Sequence, residues 1–143
     1  MRVLFDTSVL VPAFVDQLSN HSSAFAAFAG YSAGEHEGYC STHALAETYS
    51  VLTALPISKR ISSVEARMLI EENMLARLHV VELNQLDYAH ALGTAAHKGL
   101  TSGIIYDALH VEAAKKAGCS RIYTYNISHF RALSPEEILV SSP

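Results

Sequence analysis

The stretch Met1-Arg2-Val3-Leu4-Phe5-Asp6-Thr7-Ser8-Val9-Leu10-Val11-Pro12-Ala13-Phe14-Val15 places one carboxylate, Asp6, inside an otherwise apolar run. Arg2 to Phe5 read as a short buried strand, and the Thr7-Ser8 pair with Pro12 a turn later reads as the beginning of a helix. Asp6 therefore falls at the carboxyl end of a strand, the edge where ligands bind in open parallel α/β sheets. A competing reading is that Asp6 or Ser8 simply caps the helix that follows.

Outward from this stretch, strands and helices alternate. Ser8 to Val15 and Ser19 to Ala29 are expected as two short helices, the second with an apolar face of Phe25, Phe28 and Ala29, followed by a polar loop from Gly30 to Gly38. Tyr39 to Thr42 reads as a strand and His43 to Leu55 as a helix stopped by Pro56. Ser62 or Ser63 opens a helical segment to Leu78, with Val64, Met68, Ile70, Met74 and Leu75 as its buried stripe. His79 to Leu83 is a third strand, and Asn84 caps a helix from Gln85 to Lys98 that Gly99 closes. Ile104 to Ala117 is a helix closed by Gly118, Arg121 to Tyr125 a fourth strand, Asn126 to Leu133 a turn with a helical piece, and Glu137 to Val140 a last strand. This alternation predicts an α/β fold with a mostly parallel sheet.

Composition bounds the rest. With 143 residues, half of them hydrophobic, one domain spanning 1–143 is expected. A net charge of −4 excludes a generally basic nucleic-acid binder, so any RNA contact has to be local. The two cysteines, Cys40 and Cys119, suit neither a disulfide scaffold nor a four-ligand zinc site, and a reduced cytoplasmic protein is expected. Ala24-Phe25-Ala26 has the look of a leader cleavage site, but Asp6 and Asp16 break the apolar region that should precede it. No run approaches the roughly 18 apolar residues of a membrane span, so no membrane association is expected.

Three acids interrupt apolar settings: Asp6 after the first strand, Glu47 between Ala44 and Val51, and Asp107 between Ile104 and Val111. Singly, each has an ordinary explanation as a cap, a solvated helix residue or a helix-dipole partner. An α/β fold can bring a strand end and two helices to one sheet edge, however. Two carboxylates about 4 Å apart repel by roughly 4 kcal/mol at an effective dielectric near 20, so three together require a cation or raised pKa values. Mg²⁺ or Mn²⁺ prefers such oxygen donors, and an ion held there can activate water and neutralise phosphate in phosphodiester hydrolysis.

The words Val-Leu-Phe-Asp6-Thr-Ser-Val-Leu, Leu-Ala-Glu47-Thr-Tyr-Ser-Val-Leu, Ile-Tyr-Asp107-Ala-Leu-His and Tyr-Thr124-Tyr-Asn126-Ile-Ser-His129-Phe130 resemble those of PIN-domain nucleases, in particular VapC-like toxins of bacterial toxin–antitoxin pairs. The resemblance implies a parallel five-stranded sheet flanked by helices and a Mg²⁺- or Mn²⁺-dependent endoribonuclease whose metal ligands are Asp6, Glu47 and Asp107. It further implies an RNA substrate, a homodimer and inhibition by an antitoxin protein. By the same carry-over, Ser8 or Thr124 would orient a carboxylate or a bound water, and His129 would touch substrate phosphate. Many relatives place a fourth acid where this chain has Asn126, an uncharged donor, so a second ion would be held weakly. With Asp6 assigned to metal, Ser8 is left as the helix cap.

Lys98, Lys59, Arg60 and Arg131 are the candidates for gripping phosphates. The eight histidines invite a zinc reading, but no His-Glu-x-x-His word is present, and His90 and His97 are about 10 Å apart along a helix. No Gly-rich phosphate loop follows any strand. A second class of function is a catalytically weak or inactive PIN-like partner-binding module, favoured by Asn126 and by apolar helix residues such as Phe25, Phe28, Tyr49 and Leu52.

Overall fold

The first strand, β1 (Arg2–Phe5), is buried on both faces, and this property organises the molecule. In the computed structural model, which describes residues 1–32 and 36–143, Val3 and Phe5 point into one apolar layer and Leu4 into the other. A strand with no solvent face has to be central in a sheet covered on both sides. The elements that follow are α1 (Thr7–Phe14), α2 (His21–Ser32), β2 (Glu37–Ser41), α3 (Thr42–Ala54), α4 (Ser63–Leu69), a π-helical extension (Ile70–Leu75) and β3 (His79–Val81). After them come α5 (Gln85–His97), α6 (Ile104–Ala117), β4 (Arg121–Tyr123), α7 (Ile127–Leu133) and β5 (Leu139–Ser141).

The strands form one sheet in the order β3-β2-β1-β4-β5, and all four pairings are parallel. The chain thus winds to one side of β1 through β2 and β3, then returns to build β4 and β5 on the other side. β1 lies at the switch point, so its carboxyl end, Asp6, opens into the crevice such a reversal creates. One layer packs residues of α1 to α3 and the π-helical extension, such as Leu10, Phe28, Leu52 and Met74, against Val3 and Phe5. The other packs Ala91 of α5, Leu109 and Ala113 of α6 and Phe130 of α7 against Leu4 and Ile122. None of the described helices is long and apolar enough to cross a membrane.

Local chemistry explains the element ends. Ser62 and Asn84 each accept from the backbone N–H three residues on, while Glu65 and Asp87 return the bond, so α4 and α5 open on reciprocal capping boxes. Gly118 ends α6 in the left-handed region at φ 67°, where a side chain would be strained. Gly38 in β2 is needed for a close approach, because a Cβ there would meet Leu78 Cδ2 at 2.8 Å.

Several expectations are corrected. Ser8 does not cap α1: Asp6 occupies the N-cap position, its backbone oxygen accepts from Val9 and Leu10, and no side chain caps the helix. The helix after Ser62 changes to π turns at Ile70, and its buried residues are Ala66, Ile70, Met74 and Leu78, four apart. Val64 and Met68 lie in α4 two residues from the buried Ala66, on its opposite face, and are exposed, as is Leu75 one residue past Met74. In α2 the buried face is Ala24 and Phe28; Phe25 is half exposed and stacks on His21, and Ala29 is exposed. The expected loop from Gly30 is helical through Ser32, its centre lies outside the described residues, and β2 begins at Glu37 rather than Tyr39.

Candidate active site

Asp6 leaves β1 still tied to the sheet, its N–H donating to Tyr123 O at 3.0 Å. Its side chain is buried, and one oxygen, Oδ2, accepts from Ser8 Oγ at 2.7 Å and from Thr124 Oγ1 at 2.8 Å. Both hydroxyls are fixed in turn: Ser8 Oγ accepts from Tyr125 N–H and Thr124 Oγ1 from Asn126 N–H, each at 2.9 Å. With Oδ2 occupied twice, Oδ1 is the oxygen left to face the crevice, 3.6 Å from His110 Nε2.

Glu47 projects from the middle of α3. Its Oε2 lies 3.0 Å from Nε2 of His43, one turn earlier on the same helix face, and its Oε1 lies 3.5 Å from His110 Nε2. Asp107 stands in the first turn of α6, with Oδ2 3.0 Å from Nδ1 of the exposed His129 on α7. Asp6, Glu47 and Asp107 line one open cleft of about 420 Å³ together with Ser8, Thr7 and Asn126.

His110, one turn after Asp107, is fully buried between Asp6 and Glu47. Its Nδ1 is 2.9 Å from Ser41 Oγ, the hydroxyl that also caps α3 by accepting from Ala44 N–H. Its Nε2 has no hydrogen-bond partner, since the approaches of 3.5 and 3.6 Å fall outside bonding geometry. The Thr7 hydroxyl, also on the cleft wall, is buried and unpartnered as well.

The electrostatics follow from this crowding. Burial pushes the Glu47 carboxyl up, but the imidazoles of His110 and His43 outweigh it and hold the group far below the usual carboxylate range. Asp107 goes the other way: burial raises it, the charge of Asp6 adds to the rise, and His129 only partly offsets them. Burial opposes protonation of His110, yet Glu47, Asp6 and Asp107 together favour the charged ring, and its net direction is upward. Every ion-pair partner of these three acids among the described residues is an imidazole. Three carboxylates without a lysine or arginine, an open Asp6 oxygen and the orphaned Thr7 hydroxyl fit a site for a hard divalent cation.

Other residues singled out from the sequence fall as follows. Ser8 and Thr124 both grip Asp6, and His129 touches Asp107. Lys98 lies off the cleft, where its ammonium donates to Ala132 O at 2.6 Å and ties the end of α5 to α7. His43 and His110 were not singled out. Their signals were the four-residue spacing from His43 to Glu47 and the three-residue spacing from Asp107 to His110, each placing an imidazole on the face of an acid.

Residues 3–134 match the PIN domain family. The chain belongs to that family. Ribonuclease VapC27 of Mycobacterium tuberculosis (strain ATCC 25618 / H37Rv) is 37% identical over 109 residues, covering 76% of this chain and 74% of that relative. The crystal structure of Mycobacterium tuberculosis VapC20, described as a Sarcin-Ricin loop cleaving toxin, superposes with a TM-score of 0.73 over 94% of this chain and 97% of that one, at 17% identity. VapBC2 from Rickettsia felis, solved bound to a DNA fragment from its promoter, gives 0.68 over 99% and 98% at 16% identity. The five-stranded parallel sheet with flanking helices is thus a PIN-like fold, of the VapC-like group.

Proposed function

We propose that this chain is a Mg²⁺- or Mn²⁺-dependent endoribonuclease, the toxin of a type II toxin–antitoxin pair, working in the cytoplasm as a homodimer restrained by an antitoxin protein. The observation that carries the reading is the meeting of Asp6, Glu47 and Asp107 on one cleft with only imidazoles as ion-pair partners. Kinship with VapC ribonucleases supports the same substrate class.

Asp6, Glu47 and Asp107 are the residues that would hold the ion, which when bound supplies Lewis-acid activation of water and charge neutralisation at the scissile phosphate. The rest falls to the chain itself. Ser8 and Thr124 pin Asp6 by one oxygen and present the other in a fixed direction. Asn126, on the cleft wall, offers amide donors to a phosphate without adding charge. His129 orients Asp107 and is exposed enough to meet the RNA backbone. The antitoxin and the dimer partner have apolar surface to cover, since Tyr49, Val51, Val64, Met68 and Leu75 are exposed along α3, α4 and the π turns.

The test is cleavage of RNA by the purified protein in Mg²⁺ or Mn²⁺. Wild type should cut, EDTA should stop it, and Asp107→Asn should lower the rate by about 100-fold or more. Asp107→Asn cutting at the wild-type rate would remove the site from consideration. Asn126 and the exposed apolar face favour one other reading, a PIN-like module that binds a partner without catalysis. Wild type that forms a complex yet cuts no RNA in any divalent ion would establish that reading instead.

A further inference from the structure

We propose that His43, Glu47 and His110 form a nitrogen-rich cation position beside Asp6, one that takes a divalent transition ion of borderline softness, such as Zn²⁺ or Co²⁺, in preference to Mg²⁺. The inference shares Glu47 with the reading above and refines its choice of ion.

The three side chains offer ligand atoms that all lie within 4.8 Å of one another. Donors around a single ion with bonds of about 2.0–2.2 Å are separated by roughly 3–4 Å, so small rotamer adjustments close the set. His43 and Glu47 stand one turn apart on α3, and His110 reaches them from α6. The buried, unpartnered Nε2 of His110 is the atom that points to a ligand. It is aimed between Glu47 Oε1 and Asp6 Oδ1, where no protein donor or acceptor completes its bonding.

The surroundings prepare both rings for coordination. Ser41 Oγ can accept the Nδ1 proton of His110, so that when a cation displaces the Nε2 proton the lone pair faces the cluster, the arrangement by which a partner atom sets the tautomer of a metal-binding imidazole. The His43 ring lies parallel to Tyr106, with 8° between planes and 5.1 Å between centroids, and this stacking fixes the direction of its Nε2. Two imidazole nitrogens with a carboxylate form a donor set that suits Zn²⁺ or Co²⁺, whereas Mg²⁺ dehydrates reluctantly and takes oxygen ligands. Without an ion, the His43 imidazole hydrogen-bonds Glu47 and the His110 Nε2 is left unpartnered.

The experiment uses the full chain stripped by chelator and titrated separately with Co²⁺ and Mg²⁺, followed by visible absorption and calorimetry, with pulsed EPR on the Mn²⁺-loaded protein. Co²⁺ is expected to bind one per chain at least tenfold more tightly than Mg²⁺, and the EPR to carry nitrogen coupling from imidazole. His43→Gln, a substitution nearer the surface than any at His110, should weaken Co²⁺ at least tenfold. The EPR measurement on wild type needs no variant. Equal Co²⁺ and Mg²⁺ affinities, absent nitrogen coupling, or unchanged Co²⁺ binding in His43→Gln would each overturn the proposal. RNA cleavage by the same wild-type preparation separates the two readings. Cleavage in Mg²⁺ without nitrogen coupling overturns this position and keeps the nuclease; nitrogen coupling without cleavage in any ion keeps the position and overturns the nuclease.

Discussion

Two populations of acids in this protein differ in what neutralises them. Away from the cleft, Asp87 completes the capping box of α5 and pairs with Lys116 at 2.8 Å, Glu71 pairs with Arg67, Glu112 with Lys115 and Glu37 with Arg2. At the carboxyl edge of the sheet, Asp6, Glu47 and Asp107 meet hydroxyls and imidazoles only. The first population is finished by the fold. The second is left with partners that can give up their proton or turn aside, which is what a site that admits a cation requires. The pKa directions draw the same line, because Asp87 is held down by Lys116 and the Asn84 N–H whereas Asp107 is pushed up by burial.

The sharpest way to break this comparison is to add the missing cation. Saturating wild type with Mn²⁺ at about 100 times its dissociation constant should add about 2.7 kcal/mol of stability, while Asp6→Asn should gain far less. Thermal melts with and without Mn²⁺ check this, and equal shifts in the two proteins would mean that Asp6 holds no ion.

A smaller effect is expected from Thr124→Val, which strips a donor from Asp6 Oδ2 and an acceptor from Asn126 N–H. Leaving such buried groups without partners costs about 1–3 kcal/mol. Urea unfolding should show that loss with the cleft still able to bind metal more weakly; an unchanged midpoint would say that Ser8 alone suffices to hold Asp6.

The smallest effect separates the populations by sign. Asp107 has its folded pKa above its ordinary value, so its contribution to stability is present below about the ordinary value of 3.8 and is lost as pH rises through the folded one. Asp87 has its folded pKa below that value, so its contribution is present above 3.8 and is lost as pH falls through the folded one. Near neutrality and without metal, Asp107→Asn should therefore raise the melting temperature and Asp87→Asn should lower it. Melts of both variants in EDTA decide the matter, and shifts of the same sign would dissolve the distinction.

Much of this architecture was legible because it rests on local signals. An apolar run ending in Asp6, the caps Ser62 and Asn84 and the closing Gly118 are short-range features, and they recur in the structure at the residues where they were read. The three acids were recognisable by their apolar surroundings and by resemblance, and all three line the cleft. What was not legible depended on tertiary context. Val64 and Met68 fall about half a turn from Ala66 on α4, and only packing against the rest of the fold decides which of those faces is covered, while the π turns after Leu69 give no local cue. Ser8 was read as a cap because its partners Asp6 and Tyr125 meet only when β4 lies beside β1. His110 sits in the apolar word Asp-Ala-Leu-His-Val, where a single histidine resembles core; only the approach of α3 gives its ring two carboxylate neighbours.

The strand order β3-β2-β1-β4-β5 carries a consequence in time as well as in space. Asp6 and its clamp Thr124 are separated by 118 residues, and the ribosome delivers the first long before the second. During synthesis β1 can pair with β2, but the place beside it that β4 will fill stays open until more than four-fifths of the 143 residues exist. Contacts of such long range are slow to form and leave strand edges exposed meanwhile. The acidic cleft therefore cannot be complete before β4 is in place: Asp6 is made early, but the clamp that fixes its free oxygen toward the crevice arrives only with Thr124.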